Sequence, residues 1–319
     1  MSGIGLGALH AASTTIQNLA FAWLIGSVLL GPWISRATDT EPLDLHRRLW
    51  RSTAVAAALL VVAQGGLLWL EAAVMADVSL ADAMPAVADV LRGTHFGAVW
   101  TFGFVVSAAV FALSTLWPKH KAKNIHAAAL AIALAAFGFT RSLISHAAGH
   151  GDLGFAVVLD WIHLLLIGAW IGEVFVAALI VLPRLNAAVV GESLAAVRAF
   201  KFVLALSRSA TVILGGVLVT GIVKAWQSVG SLDQLVGNPY GNALTIKLIW
   251  VAAAIGLGGF NRFVVLPTFD PRGAHASAQQ RPNGLVRFLF VLRLQSLILI
   301  GVTIAAAVLS ASAPPVGGQ

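Results

Sequence analysis

The chain predicts an all-α integral membrane protein: one polytopic domain over residues 1–319, folded as a bundle of about eight transmembrane helices with both termini on the periplasmic side. Three observations carry this. Hydrophobic residues make up 59% of the 319 and charged residues 10%, with a mean hydropathy of +0.89, a balance that soluble domains of this size do not show. The apolar residues gather in runs of membrane length, since about 20 helical residues cross a hydrocarbon core of ~30 Å. The basic residues gather in alternate connections between those runs.

The first run, Ala11 to Trp33, follows ten residues without Lys or Arg and is of full membrane length, so it is expected to span rather than to be removed as a signal. Thr53 to Met75 is the second span, Phe96 to Trp117 the third and Ile125 to Ser145 the fourth. The fifth, Phe155 to Leu182, would be ~40 Å long, more than the core requires, so its first turns protrude or tilt. Phe202 to Trp226 is the sixth. Asn238-Pro239-Tyr240-Gly241 introduces the seventh, Ala243 to Leu266: the proline limits the turn, the glycine permits close approach and Tyr240 anchors at the headgroups. Phe288 to Ser310 is the eighth, and Pro314 to Gln319 a short solvent tail. The connections are short and polar, none long enough to fold alone.

Lys and Arg are retained on the cytoplasmic side of membrane helices. The first, third, fifth and seventh connections carry Arg36, Arg47, Arg48 and Arg51; Lys119, Lys121 and Lys123; Arg184, Arg198 and Lys201; and Arg262, Arg272, Arg281 and Arg287. The other side has only Arg92, Arg141, Lys224 and Lys247, at or near helix ends. Both termini therefore face outward, in a bacterium toward the periplasm, and the expected location is the inner membrane. Topology accounts for the net charge of +7, so no nucleic-acid partner is needed; the lipid bilayer is the partner the sequence requires.

Polar chemistry concentrates in Ser145-His146-Ala147-Ala148-Gly149-His150 and Asp160-Trp161-Ile162-His163, at the joint of the fourth and fifth spans. An ionisable group in hydrocarbon costs at least ~2.5 kcal/mol, so such groups are rare there without a partner or a task. His146 and His150 share a helical face if the fourth helix persists, but Gly149 and Gly151 also allow a loop. Asp160 and His163 lie one turn apart on a helix, and a short hairpin brings the two helix ends together. These four form the candidate metal site. Deeper on the fifth helix come Trp170, on the His163 face, and Glu173, the one mid-membrane carboxylate and a candidate step on a pathway.

The absence of Cys and the presence of only three Met exclude a thiolate site. Imidazole with carboxylate suits Cu(II), Zn(II) or Ni(II), with the affinity order favouring copper; thioether-based Cu(I) binding fits less well. Met75, Met84 and His95 flank the second periplasmic connection and His10 precedes the first span, so His10, His95 and Met84 are candidates for accessory capture.

Each of these residues also has a purely structural reading. His146 and His163 can hydrogen-bond between helices, His150 can be exposed, and Asp160 can cap the fifth helix. Glu173 can be salt-bridged or protonated within the bundle, and Trp170 can simply pack. Lys247 and Arg141 are expected to snorkel to the interface, and His120 and His126 to be ordinary interfacial residues. Gly215-Gly216, Gly256, Gly258 and Gly259 are expected to permit close helix packing.

Several of these residues fall in a recognisable order. Ser145-His146-Ala147, Asp160-Trp161-Ile162-His163-Leu164-Leu165 with Trp170-Ile171-Gly172, Ser207-Arg208, Thr220-Gly221, Gly230-Ser231-Leu232 through Asn238-Pro239-Tyr240-Gly241, Leu244, Lys247 and Asn261-Arg262 resemble the bacterial copper resistance protein D (CopD) family. The resemblance runs over roughly residues 140–310; the first four spans match in hydropathy and in Thr94-His95-Phe96-Gly97. It implies copper handling at the inner membrane, with periplasmic copper, often delivered by a small CopC-like binding protein, moving toward the cytoplasm. It supports His146 and His163 as ligands and Asp160 as a ligand or orienting group. Asn238 stands where Thr is expected, and Glu173 where a small residue is expected.

The favoured reading is a copper transport or homeostasis protein holding Cu(II) or Cu(I). Two alternatives remain: a haem-binding electron-transfer protein with paired His ligands, and an accessory protein that delivers copper for oxidase assembly. With no nucleotide loop, nucleophile motif or metalloprotease motif in the chain, no enzymatic activity is expected.

Overall fold

The structure is a computed structural model that describes residues 3–37, 43–116, 123–145, 154–189, 193–229, 239–270 and 280–310. Among them there is no strand. Ten α-helices follow in order: α1 (Gly3–Ala37), α2 (Leu43–Met75), α3 (Met84–Gly93), α4 (His95–Thr115), α5 (Lys123–Leu143), α6 (Phe155–Val176), α7 (Leu182–Val189), α8 (Ser193–Val229), α9 (Pro239–Phe260) and α10 (Gln280–Ser310). A π turn, Ala177–Val181, joins α6 to α7, so the two run as one rod. Eight spans are long and apolar enough to cross a membrane, and the chain is a multi-pass membrane protein. With an even number of crossings, the start of α1 and the end of α10 lie at one end of the bundle, called here the terminal end.

All eight expected spans are present, and several helices outrun their apolar runs: α1 begins at Gly3, two turns before Ala11, and three others begin early through turns that carry arginine. α2 begins at Leu43, α8 at Ser193 and α10 at Gln280, each ahead of its apolar run by a turn or more that includes arginine. Arginine is a good helix former that keeps its head in water, so it ends an apolar run without ending the helix. The short helix α3 was not expected. Pro85 occupies its first turn, Val90 is its buried residue, and Thr94 then caps α4 by accepting the Gly97 N–H at 2.9 Å. Gly97 is obligatory at this corner, since a Cβ there would lie 2.1 Å from the Val90 carbonyl oxygen.

The rod α6 is the central post. Every residue from Gly168 to Ala178 is buried, which is why this segment is apolar on all faces. Its span is 67% buried, against 11% for α9, which packs on α10 at the rim. The closest crossing joins α6 to α1. A Cβ on Gly172 would stand 1.9 Å from the Ala22 carbonyl oxygen, and one on Gly26 would stand 2.2 Å from the Gly172 carbonyl carbon. Gly168 and Gly172 form a small-xxx-small pair that lets the backbones touch. The glycines expected to serve this purpose mostly do not: a Cβ on Gly215, Gly256 or Gly259 would meet nothing within 4 Å, and only Gly216 and Gly258 lie against neighbours.

π turns occur twice, at Ala177–Val181 and Asn261–Val265, each followed closely by a proline, Pro183 and Pro267. Proline lacks the N–H that would continue the ladder and its ring crowds the preceding turn; a wider turn relieves both. The second turn places Arg262, which donates to the Ser207 carbonyl at 3.0 Å and to the Ser207 and Thr211 hydroxyls at 2.9 Å, tying α9 to α8. This accounts physically for Ser207 and Asn261-Arg262 occurring together in the sequence.

Candidate functional site

At the terminal end, α5, α6, α8 and α9 surround the polar residues of α6. Asp160 does not cap its helix: Gly154 holds the cap position, six residues earlier. Asp160 is instead paired across to α8, where Lys224 Nζ donates to Oδ1, while Ser145 Oγ at the end of α5 donates to Oδ2 at 3.3 Å. The carboxylate is 15% exposed and the ammonium 32%, so the pair is sheltered from water but not sealed from it.

One turn deeper, His163 is buried against α8, with Nδ1 2.7 Å from Thr220 Oγ1. The hydroxyl's other contacts bear on the direction of that bond. Thr220 has one proton and donates it to the Gly216 carbonyl at 2.7 Å, so toward the imidazole it accepts. The arrangement suits an imidazole that carries its proton on Nδ1 and leaves the Nε2 lone pair open. This is the tautomer of a metal-ligating histidine oriented by a hydrogen-bonding partner behind it. Gly221, the next residue of α8, leaves room for the ring: a Cβ there would lie 3.2 Å from His163 Cε1.

Cations dominate the surroundings. Lys224 and Lys247 both lie within electrostatic reach of His163, and Arg141 within reach of Asp160. Arg141 does not simply snorkel outward; it reaches into the bundle and donates to Gln17 Oε1 on α1. Gln17 in turn donates to Gln64 Oε1 on α2, and Trp100 of α4 donates to the Gln64 carbonyl at 3.0 Å. A buried polar chain thus crosses four helices beside the site.

The other expected residues are dispersed. α5 ends at Leu143, short of His146, and His146 and His150 lie outside the described residues, as do Asn238 and His120. Glu173 is fully buried, accepts the Ser209 hydroxyl at 2.7 Å on Oε1, and has no partner for Oε2 among the described residues. Trp170 packs in the central core. His10 Nε2 stands 2.9 Å from Glu71 Oε1, His95 lies at the start of α4, and Met84 is exposed at the start of α3. Among the described residues, no three His, Cys, Asp or Glu side chains are gathered closely enough to hold a metal ion. Sequence reasoning overlooked Lys224, Thr220, Gln17, Gln64 and Glu71 as partners. The available signal was a lone polar residue inside an apolar run, which Thr220 and Gln64 are, whereas Gln17 lies in the polar stretch Thr14-Thr15-Ile16-Gln17-Asn18.

Comparison with known proteins assigns both halves. Residues 6–155 match the family model for the copper resistance protein D-like N-terminal domain, and residues 195–309 match the model for copper resistance protein D. The chain belongs to the copper resistance protein D family. The first half, which shows the resemblance only faintly to the eye, has a family match of its own, whereas Asp160, His163, Trp170 and Glu173 fall between the two matched segments. Copper resistance protein D of Pseudomonas syringae pv. tomato is 29% identical over 143 residues, an alignment that spans 44% of this chain and 44% of that protein. No solved structure matches the chain.

Proposed function

We propose that this chain is a copper-handling permease of the bacterial inner membrane, binding copper near its periplasmic face and passing it toward the cytoplasm without chemical turnover. The observation that supports the reading is the buried His163 held against Thr220, whose hydroxyl also reaches the Gly216 carbonyl, an arrangement that would leave Nε2 available to a ligand. His146, His150 and Asp160 are the further ligands proposed, with a CopC-like periplasmic protein as donor. Copper arriving at Asp160 exchanges with the Lys224 ammonium, so one positive charge replaces another beside the carboxylate. Glu173, ten residues deeper on the same helix, lies about 15 Å further in and offers the next oxygen ligand or proton acceptor. The membrane potential favours inward movement, by ~2.3 kcal/mol per charge per 100 mV.

The test is copper content and affinity of the purified protein beside His163→Ala, with a visible spectrum of the same samples. One equivalent of copper lost in the variant is the expected result. Full copper retention in His163→Ala removes the residue from the site, and a sharp Soret band would replace copper with haem.

A further inference from the structure

Away from the terminal end, α10 carries a cation on its outer surface inside a membrane span. Arg293 lies within the span Asn283–Ser310, five residues past Phe288, where the apolar run begins, and it is exposed. It has no ion-pair or hydrogen-bond partner among the described residues. Asp44, a carboxylate of the same end of the bundle, is already engaged by Arg48 and Arg184, each at 3.1 Å. A charge at membrane depth is rare without a partner, so the anion that Arg293 requires has to come from outside the bundle.

A place for that anion exists. Arg293 lines a depression of about 390 Å³ where α7 packs on α10, together with Pro183 and Asn186 of α7 and Val286, Leu289 and Phe290 of α10. The four α10 residues follow the spacing of a single helical face, and none of the six lining residues is acidic. The volume is at the low end of the ~300–1,000 Å³ of small-molecule sites, enough for a polar head and too little for whole acyl chains. Beyond Arg293 the same face continues through the exposed Leu294 and Leu297, an apolar track leading away from the cation along α10.

We infer that this depression is a binding site for one anionic phospholipid of the surrounding bilayer, its phosphate held by Arg293 and Asn186 and an acyl chain lying along Phe290, Leu294 and Leu297. A guanidinium presents a planar fork that matches two phosphate oxygens, and the Asn186 amide supplies a further N–H donor. Five residues correspond to ~8 Å of helix, and helical side chains lean toward the helix start, so a long arginine at this depth reaches back to the headgroup level. The end of the bundle is the one rich in arginine, where basic pockets between membrane helices meet the anionic lipids of the inner leaflet. The site is independent of the copper reading and shares no residue with it.

The experiment titrates phosphatidylglycerol, or phosphatidylcholine in parallel, into the purified full-length protein in detergent and counts retained lipids by native mass spectrometry. The proteins are the parent, Arg293→Gln, Asn186→Ala and Arg287→Gln. Arg287 is the control, an exposed cation of the same helix that lies over the Phe260 ring, 5.3 Å from its centroid, and does not line the depression. The parent is expected to retain one phosphatidylglycerol in preference to phosphatidylcholine. Arg293→Gln is expected to weaken that lipid about tenfold, the scale of one charge-assisted hydrogen bond, Asn186→Ala to weaken it less, and Arg287→Gln to leave it unchanged. Equal retention of phosphatidylglycerol by the parent and Arg293→Gln would overturn the site. So would a parent that holds phosphatidylcholine equally well, a loss in Arg287→Gln as large as in Arg293→Gln, or displacement of the lipid by inorganic phosphate.

Discussion

The two polar regions at the terminal end carry opposite charge. In the first, His10 of α1 meets Glu71 of α2, and the connection after α2 carries the exposed Asp77, Asp82 and Asp89. Around His163 stand Lys224, Lys247 and Arg141, with Asp160 as the one neighbouring carboxylate the structure shows. The two pairs are sheltered to a similar degree, His10 and Glu71 at 24% and 28% exposed and Asp160 and Lys224 at 15% and 32%, but the second holds a lysine ammonium against its carboxylate. Under the copper reading proposed above, an ion takes Asp160 by releasing Lys224, so that site would favour ions that bind imidazole and carboxylate strongly enough to outcompete a tethered ammonium.

The strongest way to break this comparison is to separate the two regions. Gly172→Leu would press a side chain into the Ala22 backbone on α1, where even a Cβ would stand at 1.9 Å. The folded yield in detergent is expected to collapse, as judged by size exclusion. A folded, copper-binding Gly172→Leu protein would contradict the α1–α6 crossing. Next in size is Thr220→Val, which keeps the shape but removes the acceptor for His163 Nδ1. Partners behind metal-ligating histidines are worth ~10–100-fold in affinity, and a loss of that order is expected for copper at His163, with Thr220→Ser restoring it. An unchanged affinity would mean that Thr220 does not orient a ligand.

Lys224→Met sharpens the contrast from the other side. Removing the tethered cation is expected to raise copper affinity at the His163 site by about tenfold, equivalent to ~1.4 kcal/mol, and to lower thermal stability only slightly, since partly exposed pairs contribute ~0–1 kcal/mol. Weaker binding in this variant would show that Lys224 supports the site and does not compete for it. The smallest expected effect is that of Met84→Leu. Met84 is 60% exposed at the start of α3, a helix that packs on α2 and α4, so copper titrations of this variant should overlay the parent within error. A shift there would place a copper-binding group on α3.

The legibility of the chain follows the range of the forces involved. The eight spans could be read because transfer into hydrocarbon is summed over each run of about 20 residues, and no tertiary partner can reverse that sum. The helix ends were less legible, because arginine-rich turns extend α2, α8 and α10 beyond what hydropathy registers. The place of α6 at the centre was written in its all-round apolar surface and its Gly168/Gly172 pair, although the eye went to other glycines.

The sequence by itself determined that this is a membrane protein, how many times it can cross, and that His163 and Asp160 lie at one end of a helix. Only the tertiary structure decided what those two residues touch. Lys224 is 64 residues from Asp160, Thr220 is 57 from His163, and Gln64 is 47 from Gln17, so each partner is set by which helices adjoin and how they are rotated. The reason is physical. Burial in lipid is a property of each segment and acts without regard to neighbours, whereas a hydrogen bond within the bundle exists only when two particular faces meet, and that is decided by packing contacts such as Gly26 against Gly172.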